Sequence, residues 1–219
     1  MPKLRFRISQ SLDGYTAGPE QSVQNPLGIG GKSLHEWIFP LKAWRGPHGL
    51  KGGKVNQSSP VVEELMSNIG ATIMGRNMFG GHPGPWNTQN PWNGWWGTNP
   101  PFHHPVFVLT HHPRPPLTME GSTTFIFVTD GIDSAYRQAL RVANGRDVAL
   151  AGGANVAQQY LNAGLVDEMV LSVSPILLGA GERLFDNLDG TMVGYECVEL
   201  VASTDVVHVR IARSSTGGG

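Results

Sequence analysis

The segment that most constrains this chain runs from residue 148 to residue 157, where an apolar run meets a glycine pair and then a helical pattern. The run from Val148 to Ala151 is typical of a buried strand. A glycine turn from a strand into a helix gathers free backbone N–H groups at the positive end of the helix dipole. This arrangement predicts a site for a phosphate or pyrophosphate. Its candidate residues are Gly152, Gly153, Ala154, Asn155 and Val156.

The glycine pair matches neither of two common phosphate-binding motifs. A dinucleotide fingerprint needs a third glycine, and a P-loop needs a Lys-Ser or Lys-Thr pair, and neither follows here. An ordinary strand-to-helix turn, in which glycine only relieves backbone strain, is therefore an equal alternative on these residues alone.

Composition excludes several classes of protein. The 219 residues carry a net charge of −1, which gives no attraction to nucleic acid or to an anionic membrane. The one cysteine, Cys197, excludes an internal disulfide framework and a Cys-rich zinc site. The chain shows no signal peptide and no apolar run long enough to span a membrane, so we expect a cytoplasmic protein. We expect a single domain over residues 1–213 and a disordered tail over 214–219.

Strand and helix patterns alternate through the middle of the chain. Leu4, Phe6 and Ile8 alternate with arginines, which predicts a first strand with one buried face. Two segments rich in Gly and Pro predict long loops over 18–57, with a short helix near 34–44, and over 80–105. Further strands are predicted at 71–74, 106–110, 124–128, 148–151 and 166–178, and an antiparallel pair at 195–202 and 205–213.

The alternation favours an α/β fold with a mostly parallel sheet, covered on both faces, and antiparallel C-terminal edge strands. One helix is predicted to begin at Ser59 and Pro60 and to be stopped by Gly70. Ligands of such sheets bind at the carboxyl ends of the strands. The candidates at those ends are Asp13, Gly75, Arg76, Thr110, His111, His112 and Thr129.

Five segments, in order, resemble a known group of reductases. Residues 74–79, 106–111 and 151–156 resemble the Met-Gly-Arg segment, the following strand and the Gly-Gly turn of dihydrofolate reductases. Residues 11–15 and 174–181 resemble the Ser-Leu-Asp-Gly and Pro-x-Leu-Leu-Gly-x-Gly segments of a closer group. That group is the reductase domain of the riboflavin-biosynthesis deaminase-reductase, with its stand-alone relatives.

The resemblance implies a dihydrofolate-reductase-like three-layer α/β/α fold, a homodimer, and NADPH as the cofactor. It implies that Arg76 faces the 2′-phosphate, because a guanidinium suits a dianion, and His111, His112 and Arg114 could add charge there. A surface ion pair for Arg76 and a solvated turn for the histidines are the alternatives. The implied cofactor residues outside the Gly-Gly turn are Ala17, Gly75, Arg76, Asn77, Thr110, His111, His112 and Thr129.

The reacting groups and the substrate contacts are predicted from residue chemistry. Asp13 is the candidate catalytic acid, and an Asp-Gly turn that closes the strand is the alternative. Glu182 is a second carboxyl, placed with the substrate. Trp86 and Trp95 lie in a loop with four of the six tryptophans, and we expect the loop to roof the substrate and to contribute to a dimer contact. Nearby histidines fit no metal-ligand spacing, so no metal is expected.

Two departures from these families narrow the function. The helix before the Met-Gly-Arg segment begins Ser58-Ser59-Pro60 and lacks the early acid with which dihydrofolate reductases hold the pterin. A single cysteine also excludes a zinc deaminase domain. We predict an NADPH-dependent reductase that transfers a hydride to a small, flat, pterin- or pyrimidine-like substrate. The alternatives are 5-amino-6-(5-phosphoribosylamino)uracil reductase of riboflavin biosynthesis and a non-catalytic NADPH-binding protein.

Overall fold

The protein is described by a computed structural model over residues 1–190 and 194–214. Apart from Ser214, the predicted disordered tail lies outside these residues. The strands are β1 (Leu4–Ser11), β2 (Tyr15–Ala17), β3 (Ile69–Gly75), β4 (Pro105–Leu109), β5 (Leu117–Thr118), β6 (Thr124–Val128), β7 (Asp147–Gly152), β8 (Glu168–Ser174), β9 (Glu182–Arg183), β10 (Tyr195–Ala202) and β11 (Val207–Arg213). The helices are α1 (Lys42–Arg45), α2 (Ser58–Met66), α3 (Arg76–Phe79), α4 (Ile132–Ala143) and α5 (Ala154–Asn162), with a 3-10 helix at Gly31–His35.

Nine strands form one sheet in the order β10-β11-β8-β1-β7-β3-β4-β6-β5. The six central strands, from β8 to β6, run parallel, whereas β10 and β11 are antiparallel at one edge and β5 is antiparallel at the other. Strands β2 and β9 form a separate antiparallel pair. The predicted α/β class, with its parallel centre and antiparallel C-terminal strands, is confirmed.

One face of the sheet is apolar and is covered by α4 and α5. Gly70 lies on β3 and not at a helix end, so the predicted stop signal is wrong. Helix α2 already ends at Met66, and a Cβ on Gly70 would lie 2.3 Å from the carbonyl oxygen of Ala143 on α4. Glycine is needed there because the helix and the strand approach closely.

The start of α2 also differs from the prediction. The helix begins two residues earlier than expected, with Gln57 and not Ser59 as the residue before it, and Pro60 is its third residue. The side chain of Asn56 accepts a hydrogen bond from the Ser58 N–H at 2.9 Å, and the Ser59 hydroxyl accepts one from the Asn56 N–H at 3.1 Å. Asn56 therefore satisfies one of the free N–H groups at the start of the helix, and Ser59 is a residue of the helix and not its cap.

The second face of the sheet has two separate covers. Helix α2 and residues 37–44 pack over the β8 and β11 side around Trp37, Leu41 and Val62. The aromatic loop after α3 packs over β3, β4 and β6 around Phe79 and Phe125. Of the two predicted loops, the first contains the 3-10 helix and α1, not one helix near 34–44.

Strand β1 lies in the middle of the sheet, so both of its faces are covered and the predicted exposed face is wrong. Arg5 is only 7 % exposed, lies 3.3 Å from Asp147, and donates to the Ser67 carbonyl at the end of α2. The predicted alternation of charged and apolar residues is observed in β1. The charged face is not exposed, because α2 covers it and Arg5 pairs there with Asp147.

Candidate functional site

The predicted strand ends meet at one edge of the sheet, because β3, β4, β6 and β7 run parallel. Gly75 ends β3 and faces the Gly-Gly turn: a Cβ there would lie 2.8 Å from a Val156 methyl and 3.7 Å from the Gly152 carbonyl oxygen. Thr110 follows β4, and its N–H donates to the Val128 carbonyl of β6 at 3.0 Å. The structure therefore brings most of the predicted cofactor residues to a common edge.

The Gly-Gly turn delivers the N-terminus of α5 to this edge. Gly152 and Gly153 are joined by a cis peptide bond, and Gly153 is the residue before the helix. Gly153 has no side chain that could cap the first turn of α5, and that turn contains no acidic residue of its own. Backbone N–H groups in such a position suit an anion.

Glu182 approaches the same turn from β9, which pairs with Ala17 of β2. Its two carboxyl oxygens lie 3.8 and 3.9 Å from the point where a Cβ on Gly153 would stand. Burial raises the pKa of Glu182, and a hydrogen bond from the Asn155 backbone offsets part of that rise. The predicted substrate residue Glu182 and the predicted cofactor residues Ala17, Gly153 and Asn155 are therefore neighbours.

Arg76 begins α3 beside this turn and lies over the indole of Trp86, with its guanidinium carbon 3.5 Å from the ring centre. It donates to the carbonyl groups of Gly80 and His82, the latter at 2.8 Å. Arg114 lies 5.1 Å from the same ring, and its charge lowers the pKa of Arg76, although burial of Arg76 has the larger effect. Among the described residues neither arginine forms a salt bridge, so the ion-pair alternative for Arg76 is not observed.

The turn after β4 is tied to the same indole. The Trp86 N–H donates to the His112 carbonyl at 2.8 Å, and the His112 N–H donates to the Thr110 hydroxyl at 3.2 Å. His111 is exposed at this turn, and Thr129 is exposed at the end of β6. Asn77 is exposed on α3. The hydrogen bonds therefore join the Thr110–His112 turn to the Arg76–Trp86 pair.

Trp95 stabilises the end of α3 together with Trp92. The Trp95 N–H donates to the Met78 carbonyl at 3.1 Å, and the Trp92 N–H donates to the Phe79 carbonyl at 2.8 Å. These carbonyl groups have no partner within so short a helix, so the indoles satisfy them. The two indoles thus tie the aromatic loop to α3. A substrate contact by Trp86 or Trp95 stays a prediction.

Asp13 closes the turn after β1. Its carboxylate accepts hydrogen bonds from the N–H groups of Gly179 at 2.7 Å and Leu178 at 3.2 Å. A hydrogen bond from the Ser11 side chain is the largest of the effects that lower its pKa to about 2. Near neutral pH this carboxyl carries no proton to donate, so the geometry favours the turn-closing alternative. A catalytic role stays a prediction.

Sequence reasoning missed a partly uncovered strip of the sheet between the two covers of the second face, and we call this strip, at Ala149 and Ala151, the cleft. Ala149 and Ala151 of β7 are partly exposed there, although β7 is the fifth of nine strands. Arg7 of β1 shares that face, because Arg5 pairs with Ala149 and side chains alternate along a strand. Arg7 forms no salt bridge within the described part of the chain, its Nη1 has no hydrogen-bond partner, and burial lowers its pKa to about 10.

Two kinds of feature are absent from residues 1–190 and 194–214, a group of metal ligands and a helix suited to cross a membrane. No three His, Cys, Asp or Glu side chains lie close enough together to hold a metal ion. No helix there combines the length and the apolar character that crossing a membrane requires.

Comparison with known proteins identifies the family. A model of the RibD C-terminal domain matches residues 2–209. The chain belongs to that family. The RibD C-terminal domain has a dihydrofolate-reductase-like fold, so the fold implied by the resemblance is confirmed.

Solved structures agree with the family assignment. A Shewanella sp. PV-4 protein described as a riboflavin biosynthesis protein matches with a TM-score of 0.59 and 19 % identity, over 97 % of this chain and 99 % of that one. RibD of Acinetobacter baumannii matches with a TM-score of 0.58 and 18 % identity, over 98 % of this chain and 59 % of that one. At these identities the likeness establishes the fold alone.

A curated relative is similar over a shorter segment. The uncharacterized protein YyaP of Bacillus subtilis (strain 168) is 42 % identical over 60 residues, which is 27 % of this chain. The aligned segment spans 31 % of the length of YyaP.

Proposed function

We propose that this member of the RibD C-terminal domain family is an NADPH-dependent reductase of a small, flat heterocyclic substrate with a C=N or C=O bond. The observation that carries the proposal is the edge where Arg76, Arg114 and the N-terminus of α5 lie together around Trp86 and the Gly-Gly turn. When bound, NADPH supplies the hydride, and the protein binds it, orients it and excludes water.

The residues at this edge fit the phosphate groups of NADPH. The Nε of Arg76 is buried and has no hydrogen-bond partner, and no acidic side chain neutralises Arg76 or Arg114 within the described ranges. A fixed pair of guanidinium groups suits the 2′-phosphate, which distinguishes NADPH from NADH. The backbone of residues 152–156 would hold the pyrophosphate.

The cleft over β7 fits a flat substrate. Its floor is made of the small and partly exposed side chains Ala149 and Ala151, which would present little obstruction to a ring lying on the sheet. The guanidinium of Arg7, whose Nη1 is buried and has no hydrogen-bond partner, would place a positive charge beside that floor, which favours a carbonyl or an anionic substituent there. The cleft and the cofactor edge meet at Ala151 and Gly152, which are consecutive residues of β7.

Binding and turnover experiments test the proposal. Calorimetric titration with NADP⁺, NADPH and NADH measures the cofactor preference. The loss of reduced-nicotinamide absorbance is then followed with pterins, ribosylated aminouracils and simple carbonyl compounds. A reductase binds NADPH more tightly than NADH and turns over at least one of these classes. A non-catalytic binding protein is stabilised by NADPH and turns over none. Absence of NADPH binding contradicts the proposal.

Reduction of 5-amino-6-(5-phosphoribosylamino)uracil is the second candidate, and two observations favour it. The solved structures that match include RibD and a protein described as a riboflavin biosynthesis protein. Arg7 is a cation without an acidic partner in the cleft, which suits an anionic substrate. If this is the reaction, the phosphorylated aminouracil is turned over far faster than its dephosphorylated form, and Arg7→Gln reduces that preference.

We also propose that a second copy of the chain covers the β10 edge. Strand β10 is the last strand of the sheet and exposes Leu200 (67 %) and Val198 (50 %), while Val207 of β11 is 41 % exposed beside it. Apolar side chains on an unpaired edge strand are typical of an interface. Light scattering is expected to show a dimer that Leu200→Lys dissociates. The control Val142→Lys, which changes an exposed apolar residue of α4, leaves the dimer intact.

A further inference from the structure

The end of α5 that would bind the cofactor pyrophosphate already faces a carboxyl group of the protein. Glu182 projects from β9, and its oxygens lie within 4 Å of the Cβ position of Gly153, the residue before the helix. The Asn155 backbone, in the first turn of α5, contributes a hydrogen bond to that carboxyl. A backbone N–H that would suit a phosphate oxygen is therefore directed at Glu182.

Two anions in this position repel each other. A carboxylate and a pyrophosphate held at the same turn and partly shielded from water would interact far more strongly than they do in bulk solvent. Protonation of Glu182 removes this repulsion and leaves a group that can donate a hydrogen bond to a phosphate oxygen.

We infer that Glu182 couples cofactor binding to proton uptake: the dinucleotide binds at the Gly-Gly turn when the Glu182 carboxyl is protonated, and the ionised carboxylate opposes it. The inference rests on the proposed function, because it requires a pyrophosphate at the end of α5. It gives Glu182 a role in cofactor binding that differs from the substrate role assigned on sequence.

The surroundings of Glu182 leave it free to take up this proton. Among the described residues it forms no salt bridge. The neighbouring charge on β9 is Arg183, which lies 3.7 Å from Asp186 and 5.2 Å from the Tyr15 ring of β2. Asn155 of α5 and Ala17 of β2 are uncharged. The pKa of Glu182 is already raised by burial, with no charged neighbour among the causes, so a nearby pyrophosphate would raise it further.

Titration calorimetry in buffers of different ionisation enthalpy tests the inference, because it counts the protons taken up when NADP⁺ binds. The wild-type protein, E182Q and D186N are compared from pH 5.5 to pH 8.5. D186N is the matched control, since it removes one negative charge three residues beyond β9, where Asp186 pairs with Arg183 and not with α5. Thermal unfolding of each variant establishes that it is folded.

The expected result is a proton uptake by wild type and D186N that exceeds that of E182Q by up to about one proton per dinucleotide. At high pH, E182Q is expected to bind NADP⁺ more tightly than the wild-type protein does. The ratio of the wild-type dissociation constant to that of E182Q grows by up to about tenfold per pH unit above the pKa of Glu182. Titration of the 2′-phosphate and of nearby histidines is common to all three proteins and cancels in this ratio.

Two results overturn the inference. Equal proton counts, with E182Q binding more weakly than wild type, would mean that Glu182 accepts a hydrogen bond from the dinucleotide in its ionised form, and the proposed function would stand. Failure of all three folded proteins to bind NADP⁺ or NADPH at any pH would instead remove the proposed function, and the inference with it.

Discussion

The guanidinium of Arg76 and the indole of Trp86 form a stacked pair at the end of β3, with 3.5 Å between the guanidinium carbon and the ring centre. The pair holds a cation in place without an acidic partner among the described residues. A cation fixed in this way is available to a ligand anion, because no ion pair has to be broken first.

Arg76→Ala is expected to raise the dissociation constant of NADPH by about 10- to 100-fold and that of NADH by less than about threefold. Hydrogen bonds to charged groups are worth about 1.5–3 kcal/mol, and only NADPH has the 2′-phosphate that receives them. Calorimetric titration with both dinucleotides measures the difference. The control Arg137→Ala, on the outer side of α4, changes neither constant. Equal losses for both dinucleotides would show that Arg76 does not bind the 2′-phosphate.

Gly75→Ala is expected to weaken NADPH binding and to lower the free energy of unfolding by about 1–3 kcal/mol. The added methyl would lie 2.8 Å from the Val156 side chain, which pushes α5 away from β3. Chemical denaturation and calorimetry measure both effects, and Val156→Ala in the same protein should restore most of each. Gly46→Ala is the control, since its nearest atom is 3.5 Å away, and no effect above about 0.5 kcal/mol is expected. A double variant no better than Gly75→Ala contradicts the prediction.

Acid is expected to destabilise the protein below pH 6.5 through His208. Burial, and then the charge of Arg7, lower its pKa from 6.5 to about 4 against a smaller opposing effect of Glu199. Its ring lies between the hydroxyls of Ser172 and Ser58, both at 2.9 Å. The unfolded chain binds a proton in this window that the folded protein does not. The stabilising contribution is therefore complete above pH 6.5 and declines toward pH 4, by up to about 1.4 kcal/mol per pH unit.

Urea denaturation between pH 7.5 and pH 4.5 measures this slope. His208→Gln is expected to reduce it by up to one proton, whereas His82→Gln, at an exposed histidine, leaves it unchanged. The remaining slope includes His104, whose pKa burial also lowers to about 4. An unchanged slope in His208→Gln would show that this imidazole does not titrate in the folded protein as described.

Arg210→Met is expected to cost about 3 kcal/mol or more of the free energy of unfolding. Arg210 lies 2.9 Å from Glu168, which is 6 % exposed. Removal of the Arg210 guanidinium therefore leaves the buried Glu168 carboxylate without its nearest cation. Glu199→Gln removes another partner of Arg210, at 2.8 Å, but from the surface, so its cost should stay below about 1 kcal/mol. Denaturation of both variants measures the difference, and equal costs would contradict a dominant role of burial.

The sequence predicts the regular parts of this fold well because they obey local rules. The apolar runs before Gly75 and Gly152 have the length and composition of buried parallel strands, and their order specifies the α/β class. The glycine pair also locates the edge proposed to bind the cofactor, because a strand-to-helix turn has few possible geometries. These predictions need no knowledge of distant contacts.

The features that the sequence predicts wrongly, or does not predict, depend on contacts between distant residues. Arg5 looks exposed in sequence because charge usually marks a solvent face, yet Asp147, 142 positions later, neutralises it in the interior. The same pattern conceals Arg7 and the cleft beside it. The aromatic loop has no period, so nothing local reveals that Trp92 and Trp95 stabilise the end of α3. Gly70 resembles a helix stop signal in the sequence, and only the fold shows that the carbonyl of Ala143 lies against it.

The floor of the cleft has a consequence for how this fold can diversify. Ala149 and Ala151 each contribute a single methyl group, on a strand whose backbone is held by neighbours on both sides. Replacement of either alanine by serine, valine or leucine would make the cleft shallower in steps of one or a few atoms, while the backbone of the sheet stays the same. If the cleft binds the proposed substrate, these two positions select which ring sizes enter, independently of the residues that would bind the dinucleotide.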